Sequence, residues 1–169
     1  GFFHAVTESR VYGILREFHS VQSSGDMARV CTVRGEHGSR HLPQGACTSP
    51  VLANLAAYHM DVRLSSAAHS LSYVYTRYAD DLTFSGDGSI GRMLSLARTI
   101  IYSEGFVPNE RKTRIMQAPN TRLVTGLDVS GDRPRIPNGR MNHYLSILKR
   151  PQFASKHSGI KGHIMMVGQ

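Results

Sequence analysis

The sequence predicts an α+β fold, in which an antiparallel sheet has helices packed on one face. Helix-like and strand-like patterns alternate along the 169 residues, and one pair of strand-like segments is joined by a turn short enough to form a hairpin. No internal repeat or low-complexity tract divides the chain. With a hydrophobic content of 40%, the length fits one compact domain with a real core.

The first third of the chain predicts two helices separated by a loop. Thr7 can cap a helix over residues 8–18, because apolar side chains recur there with helical spacing on one face. Residues 21–40 have the Gly, Ser and charge content of a loop, interrupted by a strand over residues 28–33. Ser49 as N-cap and Pro50 at the first helical position then begin a helix that ends before Ser70.

Residues 73–86 predict a rigid hairpin. Tyr73, Tyr75 and Arg77 alternate with Val74, Thr76 and Tyr78, which is the period of a strand with two different faces. Leu82, Thr83 and Phe84 resume the β-forming character after the bend. The bend itself carries two adjacent acids, Asp80 and Asp81.

The second half predicts a helix, two strands and a final basic helix. Ser89 can cap a helix that reaches Glu104, where Gly105 provides a stop. Residues 113–117 and 122–129 read as strands, residues 130–139 as a Gly/Pro loop, and residues 140–150 as a basic helix.

Composition favours a polyanionic partner. Twenty Lys and Arg against twelve Asp and Glu give a net charge of +8, which is typical of nucleic-acid-binding domains. No apolar run approaches the ~20 residues that cross a bilayer, and no leader opens the chain. We therefore expect a cytoplasmic protein with no membrane partner.

The cysteines do not predict a scaffold. Cys31 and Cys47 lack CxxC spacing, which argues against a disulfide framework. With His37 and His41 they form a C-x5-H-x3-H-x5-C series, but this spacing matches no common zinc finger.

The acidic pair predicts a magnesium site. Two neighbouring carboxylates repel each other, and a divalent cation between them removes that conflict. Mg²⁺ is usually held by one or two carboxylates plus waters and substrate phosphates. The alternative is that Asp80 and Asp81 are ordinary turn residues, since Asp is common in turns.

A second motif precedes the hairpin. Residues 42–50, LPQGACTSP, form a loop that feeds directly into a helix start, where free backbone N–H groups and the helix dipole favour phosphate. Gln44 adds a side chain that can both donate and accept. The alternative is a plain loop and cap.

Four segments in succession, LPQGACTSPVLANL, YTRYADDLTFSG, NERKTRIM and RLVTGLDVS, resemble the palm motifs of bacterial reverse transcriptases, most closely those of retrons. Gly1, Phe2 and Phe3 resemble the tail of the first palm motif. The resemblance implies that residues 1–150 form a palm domain, incomplete at its N-terminus, and that residues 151–169 begin the connection to the thumb.

The resemblance also implies roles for individual residues. Asp80 and Asp81 would be catalytic and metal-binding, with Asp80 the more direct ligand, and Lys112 would be a catalytic group near the leaving pyrophosphate. The nucleotide would contact Phe3, which acts as the gate against a ribose hydroxyl, together with Pro43, Gln44, Gly45, Tyr78 and Ala79. Residues 123–129 would form a strand that grips the primer, with Val124, Thr125, Gly126 and Leu127 binding primer or RNA. Template and product backbones would contact surface cations, including Arg111, Arg114, Lys149, Arg150 and Lys161.

The cofactor implied is Mg²⁺, two ions per site, with Mn²⁺ as a substitute. The partners implied are template RNA, cDNA product, dNTP, a structured noncoding RNA that serves as template and primer source, and an effector protein in phage defence, in the bacterial cytoplasm. Two alternatives stay open: a group II intron-type or other bacterial reverse transcriptase, and a non-catalytic RNA-binding or assembly subunit.

Two departures from the family pattern bear on these roles. The family's first metal-binding Asp would lie three places before Gly1, and its fingers and thumb would lie outside this chain, so we expect a fragment that cannot polymerise alone. Cys47 stands where the family usually has Pro or another small residue, and we expect it to affect packing only.

Overall fold

The computed structural model describes residues 2–36 and 38–149, and the chain divides into two compact units, Gly1–Arg111 and Lys112–Gln169. In the described residues the helices are α1 (Phe2–Ala5), α2 (Glu8–Arg16), α3 (Val21–Val30), α4 (Ser49–Ala56), α5 (Tyr58–Ser70), α6 (Ile90–Ser103) and α7 (Asn138–Leu148). The strands are β1 (Val33–Arg34), β2 (Arg40–His41), β3 (Tyr73–Tyr78), β4 (Asp81–Gly86), β5 (Leu123–Val124) and β6 (Leu127–Asp128).

The α+β class is confirmed, but the described strands do not join into one sheet. They form three separate antiparallel pairs, β1–β2, β3–β4 and β5–β6. The β3–β4 pair is the longest, with six residues in each strand. The single palm-like sheet with helices on one face therefore stays a proposal rather than an observed architecture.

The core of the first unit lies between its helices and the inward face of β3. α5 packs against both α6 and β3, and α2 packs against α3 and α4. The apolar stripe of α6 supplies Met93, Ala97, Ile100 and Ile101 to this core, as its helical spacing predicted. α6 ends at Ser103, and Gly105 adopts a φ of +73°, so the predicted glycine stop is confirmed.

The helix predicted over residues 8–18 is confirmed as α2, which ends earlier than predicted. The Thr7 side chain caps α2 by accepting a hydrogen bond from the Arg10 N–H (3.4 Å). The helix ends at Arg16, so Phe18 lies beyond it and is exposed.

The prediction for residues 21–40 was wrong over its first half, because the helix α3 (Val21–Val30) replaces the loop predicted there. Ser20 caps α3 by accepting from the Ser23 N–H (3.3 Å), and Ser24 and Ala28 are buried on one face. This packing outweighs the weak helix propensity of the serines and Gly25. The strand predicted over residues 28–33 is reduced to β1, because Ala28 and Val30 belong to the helix.

The helix predicted after Ser49 is interrupted. Thr48 is the N-cap, without a side-chain hydrogen bond, and Ser49 is the first helical residue. The helix is divided into α4 and α5 at Ala57, whose N–H bonds to the Ala53 carbonyl (3.1 Å) while its carbonyl accepts from Asp61 (2.9 Å). The predicted end near Ser70 is confirmed to within one residue.

In the second unit, the two predicted strands were wrong. Residues 113–117 form no strand. Residues 122–129 contain two short strands, β5 and β6, because Thr125 and Gly126 both have positive φ (49° and 86°) and turn the chain back. The basic helix is confirmed as α7, which begins at Asn138; Arg150 lies outside the described residues, as do residues 151–169.

Across residues 2–36 and 38–149, no helix combines the length and apolarity that a membrane span requires.

Candidate active site at the acidic hairpin

The predicted acidic hairpin is confirmed, with Asp80 in the turn and Asp81 at the first position of β4. Tyr78 pairs with Asp81, so Ala79 and Asp80 form a two-residue turn between β3 and β4. Ala79 has a φ of +52°, a left-handed conformation that L-residues other than Asn and Asp rarely adopt. The turn that carries the acids is therefore strained, and strained turns persist where surrounding contacts hold them.

The two faces of β3 differ as the alternation predicted. Tyr73 is buried, and Tyr75 and Arg77 are half-buried, whereas Val74, Thr76 and Tyr78 are exposed. The Tyr75 ring lies against Phe84 of β4, with 5.2 Å between ring centroids. The hairpin is thus anchored along one face, and Tyr78, with 72% of its surface exposed, is free to meet a planar ligand.

The carboxylates of Asp80 and Asp81 are exposed. Within the described part of the chain, neither makes a hydrogen bond or an ion pair. Their oxygens are therefore available to a cation, and two adjacent carboxylates with room for waters and phosphates fit the ligand preference of Mg²⁺.

The acids would supply only part of a coordination sphere. In the described residues, no group of three or more His, Cys, Asp or Glu side chains could hold a metal. For the Cys/His series this leaves two free cysteines, Cys31 half-buried and Cys47 exposed, while His37 lies outside the described residues.

Arg77 connects the acidic turn to two helices. Its Nε and Nη2 donate to the two carboxylate oxygens of Asp61 in α5, at 2.8 and 2.6 Å. Its Nη1 donates both to the side-chain oxygen of Asn54 in α4 (2.9 Å) and to the carbonyl of Ala79 (3.0 Å). The Arg77 side chain is only 10% exposed, and its two hydrogen bonds to Asp61 are partly buried, whereas those to Asn54 and Ala79 lie at the surface.

Asp61 also accepts from the Tyr75 hydroxyl at 2.7 Å. Burial of the ring and this hydrogen bond raise the pKa of Tyr75 above its ordinary value. The hydrogen bonds to Asp61 likewise raise the pKa of Arg77. Both groups therefore keep their protons, and β3 is joined to α5 by donors on two inward-facing residues.

The predicted gate residue, Phe3, lies in α1 and is half-buried against the core. Its neighbour Phe2 stacks on Phe106, with centroids 5.6 Å apart, and the Arg77 guanidinium lies 6.0 Å from the Phe2 ring centroid. α1 is thereby brought near the base of the acidic turn.

The predicted nucleotide loop is held close to the same element. The Leu42 N–H bonds to the Val6 carbonyl (3.1 Å), and the Ser49 hydroxyl bonds to the Pro43 carbonyl (2.7 Å). Gln44 and Gly45 are exposed, and Gly45 has a φ of +91°, which glycine adopts without strain. Nothing in these contacts tests nucleotide binding, which stays a prediction.

The remaining predicted residues belong to the second unit. Lys112 lies in an exposed turn. Val124, Gly126 and Leu127 are half-buried, and Thr125 is exposed at the tip of the β5–β6 hairpin. The Arg140 Nη1 donates to the Gly126 carbonyl at 3.0 Å. Of the predicted backbone-binding cations, Arg111, Arg114 and Lys149 are exposed, and Arg150 and Lys161 lie outside the described residues.

Sequence reasoning missed Asn54 and Asp61. The signal was Arg77, which the alternation of β3 already places on the inward face. A guanidinium on the buried face of a strand requires an acid or a set of carbonyls to pair with it. The position of that partner could not be predicted from the sequence, because it lies on a helix 16 residues earlier in the chain.

In a comparison with known proteins, this chain is similar in sequence to several retron reverse transcriptases. The retron Mx65 reverse transcriptase of Myxococcus xanthus is 42% identical over 108 residues, 59% of this chain and 25% of that protein. The retron Ec86 reverse transcriptase of Escherichia coli is 37% identical over 138 residues, 78% of this chain and 41% of that protein. The retron Mx162 reverse transcriptase of Myxococcus xanthus is 34% identical over 166 residues, 83% of this chain and 34% of that protein. No family model matches the chain.

These similarities confirm the resemblance predicted from the motifs: over most of its length the chain is similar to retron reverse transcriptases. The chain spans less than half of each of these three relatives, at 25%, 41% and 34% of their lengths.

Proposed function

We propose that this chain, a relative of retron reverse transcriptases, forms the palm portion of an RNA-directed DNA polymerase. The single observation that carries the proposal is the β3–β4 turn, where Asp80 and Asp81 are adjacent, exposed and without partners in the described residues. The similarity to proteins named reverse transcriptases supports the same reaction class.

The reaction is transfer of a nucleotide to a primer. The primer 3′-hydroxyl releases its proton to solvent water and attacks the α-phosphorus of a dNTP, so that a P–O bond forms and the bond to pyrophosphate breaks. Divalent ions bound at such a site lower the pKa of the attacking hydroxyl and offset charge on the leaving group. Asp80 and Asp81 would hold these ions, with Asp80 the more direct ligand.

Other residues of this chain would bind and orient the substrates. Tyr78, with its exposed ring, would pack on the primer end or the nucleotide. Gln44 and the Pro43–Gly45 backbone would line the nucleotide, and Phe3 would exclude a ribose 2′-hydroxyl. Lys112 would place a cation, or donate a proton, at the pyrophosphate.

The β5–β6 hairpin is proposed to contact the primer or RNA through Val124, Thr125, Gly126 and Leu127. This contact is made by a hairpin tip rather than by the continuous strand that the sequence predicted. A +8 chain would hold template and product backbones through salt-sensitive contacts. For the whole protein, the proposal includes a structured noncoding RNA as template and an effector protein as partner. It also includes a cytoplasmic location and a role in phage defence.

The test is primer extension by the longest natural form of the chain, with template RNA, primer, dNTPs and Mg²⁺. Asp80→Asn keeps the size of the side chain but removes its charge, and should lower extension at least about a hundredfold. Asp87→Asn is the matched control, because Asp87 is an exposed acid just beyond the other end of the same hairpin.

RNA binding without Mg²⁺-dependent extension would favour the rival proposal, a non-catalytic RNA-binding or assembly subunit. Extension on unrelated templates, without preference for a structured RNA, would favour a group II intron-type or other bacterial reverse transcriptase. Equal losses in Asp80→Asn and Asp87→Asn would contradict the assignment of the acids.

A further inference from the structure

Arg77 makes contacts that a side chain needed only for packing would not require. Four of its five N–H groups are directed at three different elements: two at Asp61 of α5, one at Asn54 of α4, and one at the Ala79 carbonyl of the acidic turn. The last contact is to the main chain of the strained residue that directly precedes Asp80.

We propose that Arg77 is a positioning residue, which holds the left-handed conformation of Ala79 and thereby sets the direction of the Asp80 and Asp81 carboxylates. This inference rests on the proposed function of the two acids. It assigns to Arg77, Asp61 and Asn54 a role in site geometry that differs from contact with metal or substrate.

The geometry explains why an arginine is needed. The guanidinium is planar and pairs with Asp61 through two parallel hydrogen bonds, which fix its plane. With the plane fixed, Nη1 has one N–H for Asn54 and one for the Ala79 carbonyl. A lysine could pair with Asp61 as a point charge, but one ammonium cannot reach these acceptors in the same fixed directions.

The strain of the turn explains why it needs a brace, meaning a hydrogen bond from an arginine side chain to a carbonyl of the turn. An alanine at φ +52° is held at a cost of about 1 kcal/mol or more relative to ordinary conformations. Ala79 is exposed and has no side chain that could hold it there. The hydrogen bond from Arg77 acts on its carbonyl, which is the group that the turn conformation must place.

A purely structural role is the competing explanation, and the fold supplies a matched control for it. Arg63 lies on the same helix as Asp61 and pairs with Glu104 of the first unit at 2.6 Å, with a further hydrogen bond to Ser103. This ion pair joins α5 to the end of α6, and within residues 2–36 and 38–149 it makes no hydrogen bond to the hairpin. Substitutions of Arg63 therefore report the loss of an arginine ion pair without a change at the turn.

The experiment uses the longest natural form of the chain with Arg77→Lys, Arg77→Met, Arg63→Lys and Arg63→Met. Three quantities are measured: the maximal rate of primer extension, the Mg²⁺ concentration that gives half of that rate, and the melting temperature. Hydrogen exchange of the peptide that spans residues 78–82 reports the turn directly. Arg77→Lys keeps a charge beside Asp61 and serves as the variant that folds if Arg77→Met does not.

We expect both Arg77 variants to lower the maximal rate and to raise the half-activating Mg²⁺ concentration, each by about tenfold, as for loss of a hydrogen bond from a charged group. Exchange at the turn should accelerate by a similar factor in Arg77→Lys. The Arg63 variants should lose less melting temperature, because Arg63 is 46% exposed, and should show neither kinetic change. If Arg77→Lys keeps the wild-type Mg²⁺ dependence and turn exchange, the inference is overturned.

Failure of the proposed function would look different. If the wild-type protein does not extend primers, or if Asp80→Asn extends them normally, the acids are not a polymerase site. Hydrogen exchange still decides the positioning role in that case, because it needs no activity. Faster exchange at the turn in Arg77→Lys but not in Arg63→Lys supports it, and equal exchange in the two variants overturns it.

Discussion

The β3–β4 and β5–β6 hairpins both turn through a non-glycine residue with positive φ, and both have an arginine that donates to a turn carbonyl. Arg77 donates to Ala79 and Arg140 donates to Gly126, each at 3.0 Å. The two arginines differ in the contacts that hold their own side chains and in their exposure. Arg77 is fixed by Asp61 and Asn54 and is nearly buried, whereas Arg140 is exposed and has no ion-pair partner within the described residues.

This difference shows two ways to hold a tight turn. In β5–β6 the glycine itself tolerates the conformation, so the brace is a minor addition. In β3–β4 no residue of the turn is a glycine, and the conformation depends on a chain of contacts that reaches α4 and α5. The turn that carries the acids is therefore tied to the core through Arg77.

The largest expected effect is the loss of Asp61. Asp61→Ala leaves the Arg77 guanidinium and the Tyr75 hydroxyl without their acceptor and should lower the free energy of unfolding by about 2–4 kcal/mol. Arg140→Met, which removes only the outer brace of the other hairpin, should change it by less than about 0.5 kcal/mol. Urea unfolding of both variants measures the difference; equal losses would remove the distinction between the two braces.

The next effect concerns the glycine of β5–β6. Gly126→Ala forces a side chain into a φ of +86° and against the Arg140 guanidinium, and should cost about 1–2 kcal/mol. Gly139→Ala is the control in the same unit, because it lies in α7 with open space around the new methyl group, and should stabilise by about 0.5 kcal/mol. Thermal unfolding checks both signs, and a stabilising Gly126→Ala would show that the turn does not need its glycine.

The two hairpins should also differ in the pH at which they weaken. Burial and the hydrogen bond to Asp61 raise the pKa of Tyr75, so the folded state retains a proton that the unfolded chain releases near pH 10. Its contribution is complete below pH 10 and is lost as the pH rises above it. Tyr75→Phe should reduce this alkaline loss, as measured by unfolding between pH 8 and 11. An unchanged alkaline slope would contradict the contact.

The smallest effect is the change in the stability of the β5–β6 hairpin at low pH. Hydrogen bonds from Ser130 lower the pKa of Asp128, so its contribution is complete above the ordinary carboxyl pKa of 3.8 and is lost as the pH falls through the lowered value. Carboxyl NMR titration should show Asp128 below 3.8, and Ser130→Ala should return it towards that value. Asp128 is half-buried, but its contact with Ser130 lies at the surface, so the change in stability should be small.

Much of the acidic hairpin could be predicted because its information is local. Period-2 alternation identified the inward face of β3, and the doublet Asp80–Asp81 marked the bend. α2 and α6 were predicted for the same reason, since an apolar stripe lies within each helix; the Thr7 side chain caps α2, whereas Ser89 precedes α6 without a side-chain hydrogen bond. Their contacts with the core follow from that stripe.

The errors occurred where local signals were weak or contradicted by packing. α3 contains Ser23, Ser24 and Gly25 and reads as a loop, yet its Ala28 face packs against α2 and makes it a helix. Residues 122–129 read as one strand, because the positive φ of Thr125 is visible only after folding.

From its residue order alone, the chain specifies the β3–β4 hairpin, the α2 and α6 helices, the adjacent acids and the likeness to retron reverse transcriptases, because each of these is written within a short window. Tertiary structure alone decides that Asp61 and Asn54 meet Arg77, and that Arg77 meets the carbonyl of Ala79. Those partners come from three elements, and only packing of α4 and α5 against the hairpin brings them within hydrogen-bonding distance.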